Sequence, residues 1–283
     1  MARATILSAR LLLQEAGVLV DGGGLLLRGG RFERVLRGPR ALARARDPSV
    51  GWVDLGSGVL APGLVNAHVH LELGALHGRT SDARAFVPWI KVLLRERMAC
   101  PESDMLAGAR KGLVRLAETG TTSVGDIDSS GVGERVLAES AMRARLFREV
   151  LDAGDASRTA DSLARASSPR TRRAGLTFGL SPHAPYSVST ALLDQAGALA
   201  RKHRWPVAIH WSETREEVEW MQSRTGPLAE LLRTSAGPSG LDRLANAGLL
   251  GRNTALVHGN HPLAGEIERL ALSGSTLIHC PGS

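Results

Sequence analysis

The chain has 283 residues, of which 43% are hydrophobic and 22% charged, and 35 Lys and Arg against 28 Asp and Glu give a formal charge of +7. This balance excludes a disordered or collagen-like chain, and no run of about 20 apolar residues suggests a membrane span. The basic residues are scattered arginines and only 4% of residues are aromatic, so we expect no nucleic-acid partner. Two cysteines are too few for a disulfide framework, which favours a cytoplasmic location.

Residues 1–57 are predicted to form a small all-β unit, similar to a β-sandwich. Short apolar runs alternate there with glycine clusters, which are typical of turns. The predicted strands cover residues 5–13, 17–21, 25–27 and 31–36, and the predicted turns cover 22–24 and 29–30.

Residues 58–283 alternate strand-like and helical segments, which predicts βα units around a parallel sheet. The predicted strands cover 59–66, 122–126, 144–150, 176–181, 207–210, 254–258 and 276–280. The predicted helices cover 104–118, 134–143, 190–203, 216–224 and 265–272. This pattern predicts a (β/α)8 barrel of the TIM type in which the eighth strand is missing.

Histidines follow the predicted barrel strands, where a parallel barrel carries its functional groups. They are His68, His70, His183, His210, His258 and His279, with His261 close by. His68 and His70 are two residues apart on an extended segment, so they point the same way and can chelate one ion. A third histidine from a distant strand would complete a three-ligand metal site with an open position for water. A single histidine of this kind is more often structural.

Five segments closely resemble the metal-dependent amidohydrolase superfamily. They are PGLVNAHVHLE (62–72), SPHAPYS (181–187), HWSET (210–214), His258 and HCPGS (279–283). Within the superfamily they are most similar to the branch of adenosine-type deaminases, cytosine deaminases and triazine chlorohydrolases. The resemblance extends over essentially the whole chain.

The resemblance implies that His68, His70 and His210 hold one divalent metal ion, Zn²⁺ or Fe²⁺. It also implies that Glu213 is the proton shuttle and that His258 orients the water or the leaving group. The chemistry agrees, because a divalent metal lowers the pKa of bound water from 15.7 to about 7. A carboxylate beside the metal can then carry the water proton to a ring nitrogen.

Three further residues resemble substrate-facing residues of this branch, and each has a structural alternative. His183 lies between prolines, which also suits a rigid loop with a structural imidazole. Glu72 can equally be a surface acid, and Trp89 a core aromatic on an amphipathic helix. Glu213 likewise has an alternative role as an acid at a helix N-terminus, where carboxylates favour the helix dipole.

The leading hypothesis is hydrolytic deamination of an aminated purine nucleoside or base, of the 5′-modified adenosine type, with release of ammonia. The alternatives are hydrolysis of guanine, cytosine or a chlorotriazine, or an inactive truncated scaffold. The resemblance includes an aspartate after strand eight that this chain lacks, so we expect the chain to be a fragment of a longer product. The expected partners are a small-molecule substrate and, from resemblance only, further copies of the chain.

Overall fold

The computed structural model describes residues 3–15, 17–80, 85–167, 171–232, 239–280 and 282. The chain divides into two compact units, Met1–Leu64 and Val65–Ser283. None of the described helices is long and apolar enough to cross a membrane.

In its described residues, the first unit is a mixed β-sheet with one helix. Its elements are β1 (Ala4–Glu15), β2 (Val18–Arg28), β3 (Arg31–Arg37), α1 (Gly38–Arg44), β4 (Gly51–Asp54) and β5 (Val59–Leu60). The strand order is β3-β2-β1-β4, and β5 also pairs with β1. β1 runs antiparallel to β2 and parallel to β4 and β5. The apolar core of this unit includes Ile6, Leu26 and Leu36, and Leu42 of α1 packs against it.

Two features of this unit differ from the sequence prediction. The glycines predicted to form a turn at 22–24 lie inside β2, where a Cβ on Gly24 would be 2.4 Å from the carbonyl oxygen of Leu7 and 2.9 Å from Leu42 Cδ2. Glycine is therefore needed there for close packing rather than for a turn. The expectation of an all-β, sandwich-like unit also missed α1, because this helix has no capping side chain to signal its start.

The second unit contains a sheet of seven parallel strands that forms a nearly closed TIM-type barrel, as predicted. Its strands are β6 (Leu64–Val69), β7 (Thr121–Asp128), β8 (Arg143–Val150), β9 (Leu176–Pro182), β10 (Val207–Trp211), β11 (Thr254–His258) and β12 (Thr276–Ile278). They lie in chain order across the sheet. Sequential parallel strands with helical crossovers are the arrangement that a right-handed barrel requires.

The helices of this unit connect the strands. They are α2 (Phe86–Ala99), α3 (Glu102–Glu118), α4 (Val132–Ala138), α5 (Thr159–Ala166), α6 (Thr190–His203), α7 (Arg215–Ser223), α8 (Gly240–Asn246) and α9 (Glu266–Ser273). Three 3-10 helices cover Leu71–Leu76, Ala156–Arg158 and Pro227–Glu230.

Some predicted boundaries were wrong for identifiable reasons. The predicted strand 59–66 is two strands, because Pro62 and Gly63 separate β5, which pairs with β1, from β6 of the barrel sheet. The predicted helix 134–143 ends at Ala138, since Arg143 already begins β8. The strand predicted to reach residue 280 ends at Ile278.

The barrel core is continuous between the central strands and the helices. Leu180, Ile209 and Leu256 are completely buried and pack in one cluster with Leu192 and Leu193 of α6. The two end strands of the described sheet are much less covered, and Val65 of β6 is 69% exposed. The central strands β8 to β11 therefore form the rigid support for the side chains at their carboxyl ends.

Candidate active site

Histidines from four strands meet at the carboxyl end of the barrel sheet. His68 lies on β6, and His70 directly follows it. The ring centroid of His68 is 4.9 Å from that of His70 and 5.0 Å from that of His210 on β10. His183 directly follows β9, and its ring lies 5.0 Å from that of His210. His258 ends β11, and its ring lies 5.4 Å from that of His68.

The donor atoms of His68, His70 and His210 fit a divalent cation. One ring nitrogen from each lies within 4.8 Å of the others. Nδ1 of His210 contacts the carbonyl oxygen of His183 at 2.9 Å, and the His70 ring is hydrogen-bonded to the carbonyl of Ile127. A neutral ring that donates its N–H to a carbonyl has a bare lone pair on its other nitrogen. The Nε2 atoms of His70 and His210 are 3.1 Å apart, so two lone pairs face each other unless a cation lies between them.

Burial keeps these imidazoles in the form that binds metal. Burial, with smaller contributions from His70 and His258, lowers the pKa of His68 to about 3. Burial also lowers the pKa of His70 and moves the pKa of His210 well below its usual value. All three rings are therefore neutral at pH 7, and neutral imidazole is the metal-binding form.

A carboxylate and an imidazole form a pair beside the three histidines. Glu213 lies between β10 and α7, and its Oε1 is 3.5 Å from Nε2 of His258. Burial raises the pKa of Glu213 to about 7, and burial lowers the pKa of His258 to about 4. At neutral pH the imidazole is uncharged and the carboxyl group titrates, which suits Glu213 to proton transfer.

Glu213 lies before α7, the helix at whose N-terminus the sequence alternatively places this acid. α7 begins at Arg215, and the capping side chain is Thr214, whose Oγ1 accepts a hydrogen bond from the N–H of Glu217. The acids of the first turn are Glu216 and Glu217. The Glu213 side chain instead lines the cavity that contains the histidines.

This cavity has a volume of about 360 Å³, within the usual range for a small-molecule site. Its polar side includes the histidines, Glu213, Glu72, Arg97 and Glu149. Its apolar side comes mainly from α2 and from the segment around the 3-10 helix at Pro227–Glu230. The apolar lining residues include Phe86, Trp89, Ile90, Leu93, Leu228 and Leu231. The Trp89 and Phe86 rings stack with centroids 6.0 Å apart.

His183 lines the cavity and also supports a neighbouring histidine. Its Nδ1 lies 2.6 Å from Oγ of Ser187, and its backbone oxygen contacts Nδ1 of His210. Burial lowers the pKa of His183 to about 4. The residue therefore combines a cavity-lining ring with a structural backbone contact.

Glu72 is a buried member of an ionic network and not a surface acid. Its carboxylate accepts hydrogen bonds from Arg97 Nη2 at 3.2 Å, from Ser129 Oγ at 2.8 Å and from the backbone N–H of Ser130 at 2.9 Å. Burial alone would raise the pKa of Glu72, but Arg97 and the serine hydrogen bonds outweigh it and lower the pKa. Both Glu72 and Arg97 line the cavity.

The sequence reasoning missed Glu149, near the end of β8. Glu149 lines the cavity, and one of its oxygens lies within 4.8 Å of ring nitrogens of His183 and His210. Its Oε1 is enclosed and has no hydrogen-bond partner among the described residues. Burial raises the pKa of Glu149 to about 8. The sequence feature that could have identified Glu149 is its position one residue before the end of a predicted barrel strand.

The sequence profile of the Amidohydrolase family matches residues 59–283 of this chain. The 5-methylthioadenosine/S-adenosylhomocysteine deaminase of Halobacterium salinarum is 34% identical over 240 residues, which cover 82% of this chain and 53% of that protein. The chain thus spans about half the length of the named relatives it matches.

Two solved structures have a similar fold. Helicobacter pylori aminofutalosine deaminase in complex with methylthio-coformycin matches with a TM-score of 0.82 at 20% identity, over 98% of this chain and 70% of that one. A zinc-bound adenosine deaminase from Xanthomonas campestris matches with a TM-score of 0.74 at 21% identity, over 98% of this chain and 62% of that one. With its five motifs, its barrel and the match over residues 59–283, the chain belongs to the metal-dependent amidohydrolase family.

Proposed function

We propose that this protein is a metal-dependent deaminase that hydrolyses an adenosine-type nucleoside with a modified 5′ group and releases ammonia. The observation that carries the proposal is the contact between Glu213 and His258 beside a cluster of three neutral histidines. The relatives, which are named as deaminases of methylthioadenosine, S-adenosylhomocysteine and aminodeoxyfutalosine, support the substrate class.

His68, His70 and His210 would hold one divalent ion. Zn²⁺ is the first candidate, because a similar fold binds zinc in the adenosine deaminase from Xanthomonas campestris, and Fe²⁺ is the second. When bound, such an ion lowers the pKa of water towards 7 and so supplies a nucleophile at neutral pH.

Glu213 would act as the proton shuttle. As a water oxygen attacks the amino-bearing carbon of the purine, the carboxylate accepts the water proton and delivers it to a ring nitrogen. The added hydroxyl group then gives up its remaining proton to the amino group, which leaves as ammonia, and the carbon retains the oxygen as a carbonyl. His258 is neutral at pH 7 and lies beside the Glu213 carboxylate. It would orient the attacking water or the leaving group.

His183, Trp89 and Glu72 would contact or position the substrate. The ring of His183 faces the cavity beside His210, and Trp89 lies in the apolar wall opposite. Glu72 holds the Arg97 side chain at the cavity lining. A cytoplasmic location and a homo-oligomeric state are further parts of this proposal.

The test is ammonia release by the protein expressed from its complete reading frame and loaded with Zn²⁺. The panel contains methylthioadenosine, S-adenosylhomocysteine, adenosine, guanine and cytosine, with chloride release from a chlorotriazine assayed alongside. We expect the highest kcat/KM with a 5′-modified adenosine, and a kcat about 10²- to 10⁴-fold lower in Glu213→Gln.

The matched control is Glu216→Gln, which removes the same charge three residues away in the first turn of α7. It should retain the activity of the parent. Turnover of only guanine, cytosine or the triazine would contradict the substrate class. Bound metal without turnover of any panel member would favour a non-catalytic scaffold.

A further inference from the structure

Glu217 makes two hydrogen bonds that no helix cap requires. It lies in the first turn of α7 and is 2% exposed. Its Oε1 accepts the backbone N–H of Ser212 at 2.8 Å, and its Oε2 accepts the backbone N–H of Glu213 at 2.7 Å. The Thr214 side chain separately accepts the N–H of Glu217 and caps the helix. Both carboxylate oxygens of Glu217 are thus used to hold the two residues that follow the strand end at Trp211.

The backbone that Glu217 holds is in an unfavourable conformation. Ser212 has a φ of +53°, in the left-handed region that a residue other than glycine seldom adopts. Such a conformation persists only where surrounding contacts enforce it, and such sites often carry function. The chain bends at Ser212 directly after β10, and the Glu213 side chain, three residues after His210, lines the same cavity.

The same two residues are also held through their carbonyl groups. The oxygen of Ser212 accepts the backbone N–H groups of Asn260 and His261 at 2.9 and 3.1 Å. The oxygen of Glu213 accepts Nδ2 of Asn260 at 3.2 Å. The segment after β11 therefore fixes the carbonyl groups and Glu217 fixes the N–H groups. These contacts set the distance between Glu213 and His258, because His258 is the last residue of β11.

We propose that Glu217 is a positioning residue, which clamps the backbone of Ser212 and Glu213 and so aims the Glu213 carboxyl at the reaction centre. The inference rests on the proposed function. Its chemistry is specific, because a backbone N–H on each oxygen requires a carboxylate with two acceptors. A glutamine at 217 offers one acceptor and turns an NH₂ group towards the other N–H.

The competing explanation is that Glu217 only stabilises the start of α7. Three variants separate the two roles. Glu217→Gln removes one acceptor, whereas Glu217→Asp retains both carboxyl oxygens at the helix start but shortens the side chain by one methylene. Glu216→Gln, the control, removes a first-turn charge of the same helix without touching the clamp.

The first readout is steady-state kinetics of the zinc-loaded protein. We expect Glu217→Gln and Glu217→Asp to lower kcat about 10²-fold, since displacement of a reacting group by about 1 Å has that effect. KM should change by less than about threefold, because the clamp acts on the reacting geometry rather than on uniform substrate binding. Glu216→Gln should match the parent. Parent-like kcat in both Glu217 variants would overturn the proposal.

The second readout is a double-mutant cycle with Glu213→Gln. If Glu217 acts through Glu213, adding Glu217→Gln to Glu213→Gln should change kcat by less than about threefold. If Glu217→Gln lowers kcat in the Glu213→Gln background as much as it does in the parent, Glu217 does not act through Glu213, and the proposal is overturned.

The third readout does not depend on activity. Amide hydrogen exchange at Ser212, at Glu213 or at both should become about tenfold faster or more in Glu217→Gln, because one of the two acceptor oxygens is lost. Exchange there should be unchanged in Glu216→Gln, and the melting temperature shows that each variant is folded. If the parent hydrolyses no panel substrate, the proposed function fails, and exchange alone decides the clamp. Unchanged protection at both amides would then overturn it.

Discussion

The two sides of the cavity have different origins. The polar side consists mainly of residues at the ends of β6, β8, β9, β10 and β11, whose positions follow from the register of the sheet. The apolar side consists of residues on α2 and around the 3-10 helix at Pro227–Glu230, outside the sheet. We therefore expect the sheet to determine the reaction chemistry and the helical segments to determine which substrate is accepted. Function on a barrel commonly varies in this way.

The largest expected effect comes from removing a proposed metal ligand on the polar side. His210→Asn should lose the bound ion and reduce turnover to background, because a ring nitrogen that faces His70 at 3.1 Å is replaced. Metal content per chain, measured by elemental analysis, checks this. His77→Asn changes an exposed histidine and should retain one ion per chain. A full complement of metal in His210→Asn would place the ion elsewhere.

The polar side should also determine the pH dependence. Burial raises the pKa of Glu213 to about 7, and the shuttle must be unprotonated to accept a proton. We therefore expect kcat/KM to be highest above pH 7 and to fall about tenfold per unit as the pH drops below that value. A pH profile from 5 to 9 tests this. An acidic limb that begins near pH 4.5 would mean that Glu213 is solvated during the reaction.

On the apolar side a smaller effect should appear in binding rather than in chemistry. Trp89→Ala should raise KM about tenfold, because it removes apolar contact area from the wall, and should change kcat less than about threefold. The control is Met98→Ala on the same helix, since Met98 is 88% exposed. A loss in kcat with unchanged KM would assign Trp89 to the reaction geometry instead.

The smallest effect concerns Glu72, which lies where the two sides meet. Glu72→Gln weakens a buried ion pair with the partly exposed Arg97, so we expect the free energy of unfolding to fall by about 2 kcal/mol. For a domain of this size the melting temperature should drop by about 5 °C. Glu96→Gln, which breaks the exposed pair with Arg95, should change stability by less than about 1 kcal/mol. A raised KM with unchanged stability would make Glu72 a substrate contact.

The elements that support the site could be predicted closely from local pattern. The helix at 190–203 and the strand at 254–258 were predicted to the residue, because a capping serine and a short apolar run mark their ends. The wall of the cavity was predicted less well. Trp89 was identified by resemblance, but Phe86 and Leu228 were not, since apolar residues on a helix do not indicate whether they face a core or a cavity.

The sequence by itself determined the barrel and placed histidines at its strand ends, because side-chain alternation along a strand and the order of strands and helices are readable from local pattern. The tertiary structure decided which of these residues meet. Only the fold brings Glu213 to 3.5 Å from His258, pairs the buried Glu72 with Arg97 and encloses Oε1 of Glu149 without a hydrogen-bond partner among the described residues. Such contacts join residues far apart in the chain, and the pKa shifts that accompany them come from burial and from these partners, which no single segment of sequence specifies.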